Sequence, residues 1–170
     1  MKSKNLSEKI LRSIKTRGFK YINLNPVLET KYILQRSGEN FKKFLFSFYD
    51  LNGKELCLRP DLTISSAIRF IQNKKDNREK VFYSGEAFRK TYQKKNSIIK
   101  NQIGYEILGS KNKQKDDEEI IDTSLKILNS SGYKKSVLKI GNVELFNLLI
   151  NKLDIPRRWK NRIKRYYWNE

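Results

Sequence analysis

Val81-Phe82-Tyr83-Ser84-Gly85-Glu86-Ala87-Phe88-Arg89 and Asn101-Gln102-Ile103-Gly104-Tyr105-Glu106-Ile107-Leu108-Gly109 are two runs that read as strands. Successive side chains of a strand point to opposite faces, so residues of equal parity share a face. In the second run Ile103, Tyr105 and Ile107 read as core, while Gln102, Gly104 and Glu106 occupy the other face. In the first run Gly85, Ala87 and Arg89 lie together. If the two runs pair with those faces aligned, small residues clear a floor rimmed by a guanidinium, an amide and a carboxylate, which is the layout of a polar small-molecule pocket. Glu86 falls between the apolar Phe82 and Phe88, and the pattern offers no reason for it.

Upstream of this pair, Phe44 to Tyr49 and Glu55 to Leu58 flank Asp50-Leu51-Asn52-Gly53-Lys54, whose Asn-Gly predicts a β-hairpin. After Arg59-Pro60, either Asp61 or Thr63 caps a helix running to about Asn73, and the charged run Asn73 to Lys80 is expected to be a loop. Leu6, Ile10, Leu11 and Ile14 predict an amphipathic helix over 6–17, with Asn5 or Ser7 as N-cap and Gly18 as its stop. Phe19 to Asn25 reads as a short strand, and Val27 to Leu34 as a short helical or irregular passage. Downstream, 116–130 predicts a helix whose first turn holds Asp116, Asp117, Glu118 and Glu119, favoured by the helix dipole, with Gly132 ending it. A strand from Ser136 to Ile140, a helix from Asn142 to about Leu153 and a basic helix after Pro156 complete the pattern. Hairpins mixed with segregated helices predict an α+β fold on a mainly antiparallel sheet flanked by helices. At 170 residues, a single domain spanning 1–170 is expected.

The chain has no histidine. That excludes a Ser-His-Asp or Cys-His relay, a zinc site of the Cys/His type and an imidazole acid–base catalyst. A single cysteine, Cys57, makes no internal disulfide, and Met1-Lys2-Ser3-Lys4-Asn5 runs into charge rather than an apolar signal core, so a cytoplasmic location is expected. No run approaches the roughly 18 apolar residues of a membrane helix, and no membrane partner is expected. The net charge of +19 has two readings. One is a surface for nucleic acid. The other is compositional bias, since 26 Lys against 11 Arg, beside 16 Asn and 18 Ile, looks like Lys, Asn and Ile filling neutral positions; specific phosphate recognition favours arginine.

An amino acid presents a carboxylate and an ammonium, so Arg89 suits the first while Asp61 or Glu106 suits a cationic nitrogen. The competing reading is that these three make salt bridges on a wet sheet face. Arg59-Pro60-Asp61-Leu62-Thr63 likewise either presents Asp61 and Thr63 to a ligand or only caps the helix.

Leu56-Cys57-Leu58-Arg59-Pro60-Asp61-Leu62-Thr63, then Tyr83 to Arg89, then Asn101 to Gly109 resemble, in order and spacing, the successive core motifs of histidyl-tRNA synthetase-like proteins. Asp117 to Asp122 and Gly141-Asn142-Val143-Glu144-Leu145-Phe146 resemble the elements that follow. The resemblance covers nearly the whole chain and implies a class II aminoacyl-tRNA synthetase-like catalytic core, incomplete at the C-terminus because Glu170 precedes the third motif. Within that superfamily, Cys57 to Thr63 and Ile155-Pro156-Arg157-Arg158-Trp159-Lys160 look most similar to the regulatory subunits of ATP phosphoribosyltransferase, which keep the fold without aminoacylating tRNA.

That resemblance implies a noncatalytic regulatory role in the first step of L-histidine biosynthesis. It implies the short-form catalytic subunit as partner, L-histidine as effector, self-association, and neither metal nor cofactor held by this chain. It places Asp61 and Thr63 near the histidine amino group, Arg89 by the carboxylate, and Gln102 and Glu106 completing the pocket, with Glu106 facing the imidazole. The alternative is a histidyl-tRNA synthetase-like core fragment binding histidine, ATP and tRNA. Thr91 stands where synthetases carry an acid two residues after the motif arginine, and the loop Tyr92 to Lys100 has no arginine. Both speak against adenylation, which needs electrostatic clamps on the phosphates.

Overall fold

Ile10, Leu11 and Ile14 fall on one side of helix α1 (Lys2–Lys15) and enter the core, and Gly18, at φ +81°, turns the chain out of the helix. The computed structural model describes residues 2–73, 77–91, 97–133 and 135–167, with side chains from residue 5 onward. The chain divides into two compact units, 1–134 and 135–170.

In the first unit α1 is followed by β1 (Lys20–Tyr21), β2 (Val27–Glu29), α2 (Thr30–Ser37), a 3-10 turn (Glu39–Phe44), β3 (Ser47–Tyr49) and β4 (Glu55–Leu58). Then come α3 (Leu62–Gln72), β5 (Glu79–Phe88), β6 (Ile99–Leu108) and α4 (Lys113–Ser130). The strands form two three-stranded sheets, ordered β1-β5-β6 and β2-β4-β3. Every pairing is antiparallel except β1 with β5, where Lys20 lies opposite Val81. The expected α+β architecture is the one observed.

Local departures trace to pairing partners. Val27 to Leu34 is a strand followed by a helix, because Val27, Leu28 and Glu29 find Leu58, Cys57 and Leu56 across β4. The strand expected over Phe19 to Asn25 shrinks to two residues, although the Ile22 N–H still donates to Phe82 O and Ile22 and Leu24 are buried. Glu79 and Lys80 are drawn from the expected loop into β5, opposite Leu108 and Ile107. Arg69 of α3 holds that strand start with two parallel bonds to Glu79, at 3.0 and 3.1 Å. Of that expected loop, Asn73, Asn77 and Arg78 lie outside helix and strand, and 74–76 fall outside the described residues, as do 92–96. The hairpin forms as expected: the Asp50 carboxylate accepts the Asn52 and Lys54 N–H groups, and Gly53 takes φ +75°.

The ten-residue β5–β6 ribbon separates two cores. On one face Phe82, Ile103, Tyr105 and Ile107 pack with Ile14, Phe19, Ile120 and Ile127 from α1 and α4. On the other, Val81, Tyr83 and Ala87 pack with Ile22, Leu24 and Leu62. A third cluster of Ile33, Leu45 and Cys57 fills the space beneath α2. Glu86 finds its explanation here: its side chain is exposed, and its carbonyl accepts from the buried Arg59 Nε at 2.8 Å.

The second unit holds α5 (Val143–Lys152) and α6 (Arg157–Tyr166), with Asn142 capping α5 through the Leu145 N–H at 2.9 Å. Phe146 stacks on Tyr167 at 4.1 Å, and Lys160 Nζ donates to Asn151 O. The strand predicted over Ser136 to Ile140 is not formed; Val137 and Ile140 are 85% and 73% exposed. Strand propensity expresses itself only against a neighbour that supplies ladder bonds, and among the described residues none lies alongside this segment.

Candidate functional site

Antiparallel register brings the polar residues of β5 and β6 onto one face: Gln102 lies opposite Gly85, Gly104 opposite Tyr83 and Glu106 opposite Val81. Both glycines are required by what crosses them. A Cβ at Gly85 would come within 2.6 Å of the Arg59 guanidinium, and one at Gly104 within 2.5 Å of the Tyr83 ring.

Asp61 is the N-cap of α3, where Oδ1 accepts the Ile64 N–H at 2.9 Å while Oδ2 faces Arg89 Nη2 at 3.9 Å. Its capping and site-facing readings are therefore compatible, one oxygen serving each. Arg89 Nε donates to Pro60 O at 2.8 Å, and its guanidinium stands 5.8 Å from the Phe41 ring centroid. Gln102 Oε1 accepts the Leu62 N–H at 3.1 Å, fixing the amide against the first turn of α3. The Thr63 hydroxyl lies 3.1 Å from the Tyr83 hydroxyl, which donates to Glu106.

These bonds divide the five sequence-identified residues into two groups. Thr63 and Glu106 are joined through Tyr83 into a part-buried network, while Arg89 and Gln102 line an open concavity of about 230 Å³ with Pro60, Ala87, Lys100 and Asn101. Asp61 joins the second group through Arg89.

Burial first, and the nearby Asp61 charge after it, hold the Glu106 carboxyl above its ordinary range; the Tyr83 and Thr63 bonds oppose the shift. The Tyr83 phenol is pushed far above its ordinary value, by burial and then by the bond to Glu106. Tyr83 therefore stays protonated and donates to Glu106, and a carboxylate, with about four lone-pair sites, can accept from a cationic or N–H ligand group beside the Tyr83 and Thr63 bonds. An ammonium or ring N–H at Glu106 and a carboxylate at Arg89 would each be met by a charge-assisted bond. Among the described residues no cluster of three or more Cys, Asp or Glu side chains could hold a metal ion.

Two structural members escaped the sequence reading. Tyr83 is only 2% exposed and connects Thr63 with Glu106; extending the parity of Gly85 back by one pair finds it. Arg59 is 8% exposed and donates to Leu24 O and Glu86 O, tying the β4–α3 corner to β5. It meets backbone carbonyls rather than a carboxylate, and burial depresses its pKa. No sequence signal marks such a residue.

A mainly antiparallel ribbon with α3 on one face, α1 and α4 on the other, and a polar cluster at the start of α3 defines a class II aminoacyl-tRNA synthetase-like core. The profile of the family described as histidyl-tRNA synthetase matches residues 1–169, and the chain belongs to that family. It is 26% identical over 156 residues to an ATP phosphoribosyltransferase regulatory subunit of Allorhizobium ampelinum, covering 91% of this chain and 41% of the relative. To a histidine–tRNA ligase of Pyrococcus abyssi it is 32% identical over 154 residues, covering 87% of this chain and 35% of the relative. Among solved structures, an ATP phosphoribosyltransferase regulatory subunit/histidyl-tRNA synthetase from Bacillus halodurans shares the fold with a TM-score of 0.83 at 23% identity, over 98% of this chain and 43% of the other. A histidine–tRNA ligase subunit from Alicyclobacillus acidocaldarius shares it at 0.70 and 14%, over 96% of this chain and 47% of the other. The chain thus spans under half the length of these relatives.

Proposed function

We propose that the chain is a noncatalytic regulatory subunit of ATP phosphoribosyltransferase, acting in the cytoplasm in the first step of L-histidine biosynthesis, with residues 1–170 serving as one core domain. The short-form catalytic subunit is its partner, and L-histidine, read by Asp61, Thr63, Arg89, Gln102 and Glu106, is its effector. The observation that carries this is the pairing of a cluster of opposite charges around the start of α3 with incomplete phosphate-clamping equipment. Glu106 and Arg89 offer opposite charges to opposite ends of an amino acid, whereas the residue two after Arg89 is Thr91 rather than an acid. The relative from Allorhizobium ampelinum supports the same reading by its name. Feedback requires that histidine bind one state of the complex better than the other, with coupling of about 1–3 kcal/mol.

The test is co-purification with the short catalytic phosphoribosyltransferase of the same genome, followed by ATP-dependent phosphoribosyl transfer with and without this chain. A stable complex, raised activity and a histidine response that disappears in Glu106→Gln while the complex persists are expected. Absence of both complex and activation overturns the proposal. Histidine-dependent pyrophosphate exchange by the isolated chain would instead establish the synthetase-like alternative, in which the core binds histidine, ATP and tRNA.

A further inference from the structure

Helix α6 holds Arg157, Arg158, Arg162 and Arg165, four of the 11 arginines in a chain that uses mostly lysine for positive charge, with 26 Lys in all. A compositional drift toward lysine accounts for much of the net charge, but not for arginines gathered within nine residues. No acidic residue occurs between Ile155 and Tyr167.

The spacing sorts the helix into stripes. Arg158, Arg162 and Arg165 stand at i, i+4 and i+7, and Trp159, Ile163 and Tyr166 repeat that spacing one residue on, so a guanidinium row runs beside an aromatic row. Arg162 joins them, its guanidinium 5.7 Å from the ring centroids of both Trp159 and Tyr166. Trp159, Arg162, Ile163, Tyr166 and Tyr167 line an open concavity of about 440 Å³. Trp159 and Tyr166 are 47% and 57% exposed. Lys160 and Lys164 of the helix are committed to α5, donating to Asn151, while Tyr167, just past the helix end, stacks on Phe146.

We propose that this face of α6 binds single-stranded polynucleotide, with bases stacking on Trp159 and Tyr166 and phosphates held by Arg158 and Arg165. The charge complementarity is one-signed, and the guanidinium fork matches phosphate bidentately where an ammonium would act as a point charge. Exposed rings flanked by cations are the platform on which bases stack irrespective of sequence. A lipid surface suits the face less well, because interfacial helices insert a broad apolar side and Ile163 is the only aliphatic residue in this stripe. The inference uses none of the pocket residues and stands apart from the regulatory reading.

The experiment titrates the full chain into a labelled oligouridylate of about 12 nucleotides, following anisotropy at several salt concentrations. Trp159→Leu is expected to weaken binding roughly five- to hundredfold, while Trp159→Phe, which keeps a ring, stays within about threefold. Arg158→Gln with Arg165→Gln should lower the slope of log K against log salt by about 1.4, two phosphate contacts at about 0.7 each. Lys111→Gln with Lys113→Gln removes the same charge elsewhere and should leave that slope nearly unchanged. Equal losses from the arginine and lysine pairs, with Trp159→Leu binding like the parent, would reduce the effect to diffuse charge and overturn the proposal. So would preferential binding to phosphatidylserine vesicles that the oligonucleotide fails to displace. Both charge pairs are exposed, so the comparison holds even if Trp159→Leu unfolds the helix.

Discussion

Replacing Gly104 by alanine is the sharpest probe of the cluster beneath α3. The added Cβ would stand 2.5 Å from Tyr83 Cε2 and 2.6 Å from its Cζ and hydroxyl oxygen. The Tyr83 ring has nowhere to go: it is 2% exposed, sits in the core with Leu62, Val81 and Ala87, and its hydroxyl is tied to Thr63 and Glu106. Gly104 does not have a positive φ, so alanine meets no backbone strain and the clash alone sets the cost. Overpacking costs about 1–3 kcal/mol. Breaking a hydrogen bond to the part-buried Glu106 carboxylate adds about 1.5–3 kcal/mol. The reduced freedom of the unfolded chain returns about 0.4–1 kcal/mol. The net destabilisation is about 3 kcal/mol, which in a chain of this size lowers Tm by roughly 6–12 °C. Urea unfolding followed by far-UV circular dichroism measures it. Tyr83→Leu removes the ring from the path of the new methyl, so Gly104→Ala should cost much less in that background than in the parent. A Gly104→Ala chain within about 0.5 kcal/mol of the parent, or additive effects in the double variant, would refute the packing argument.

Tyr83→Phe keeps the ring but strips the donor from Glu106 and is expected to destabilise by about 1–3 kcal/mol at neutral pH. Because the folded Glu106 pKa already lies above 4.5 and the Tyr83 bond opposes that shift, losing the bond raises it further. The folded state then holds the proton more tightly than the unfolded one, so stability from this group is present below 4.5 and lost as pH rises through the folded value. The deficit of Tyr83→Phe should therefore shrink as pH is lowered toward 4.5, and a deficit independent of pH would count against the network. Arg78→Gln tests the opposite sign. Arg78 draws Asp116 below its ordinary 3.8, and Lys80 first, then Arg78, draw Glu119 below its ordinary 4.5. Their contribution is present above those values and lost as pH falls through the depressed ones. Arg78→Gln should be less stable than the parent near neutrality, with the gap closing in acid and narrowing in high salt; an acid unfolding profile identical to the parent's would contradict the pairing.

Much of the ribbon was legible because strand parity is local. Once Gly85, Ala87 and Arg89 are placed on one face, backbone geometry dictates which residues of β6 can meet them, and the register puts Gln102 opposite Gly85. Helix starts were legible for a similar reason: Asp61 and Asn142 cap helices through bonds that span three residues. The cluster's internal wiring was not. Arg59 reads as part of a motif, yet its guanidinium answers carbonyls 35 and 27 residues away in sequence. Tyr83 reads as a core aromatic, and only the opposing Gly104 and the reach of Glu106 turn its hydroxyl into a connector.

By itself, the sequence determined periodicity, caps and turns, and excluded histidine chemistry altogether, since these depend on residue identity and on neighbours within a few positions. Tertiary structure decided which candidates share a network and which strands exist. Val27 to Glu29 became a strand because β4 offered its ladder, whereas Ser136 to Ile140, with comparable propensity, met none among the described residues and stayed irregular. A helix closes its hydrogen bonds within its own chain segment, but a strand and a buried polar side chain depend on groups that only folding brings near.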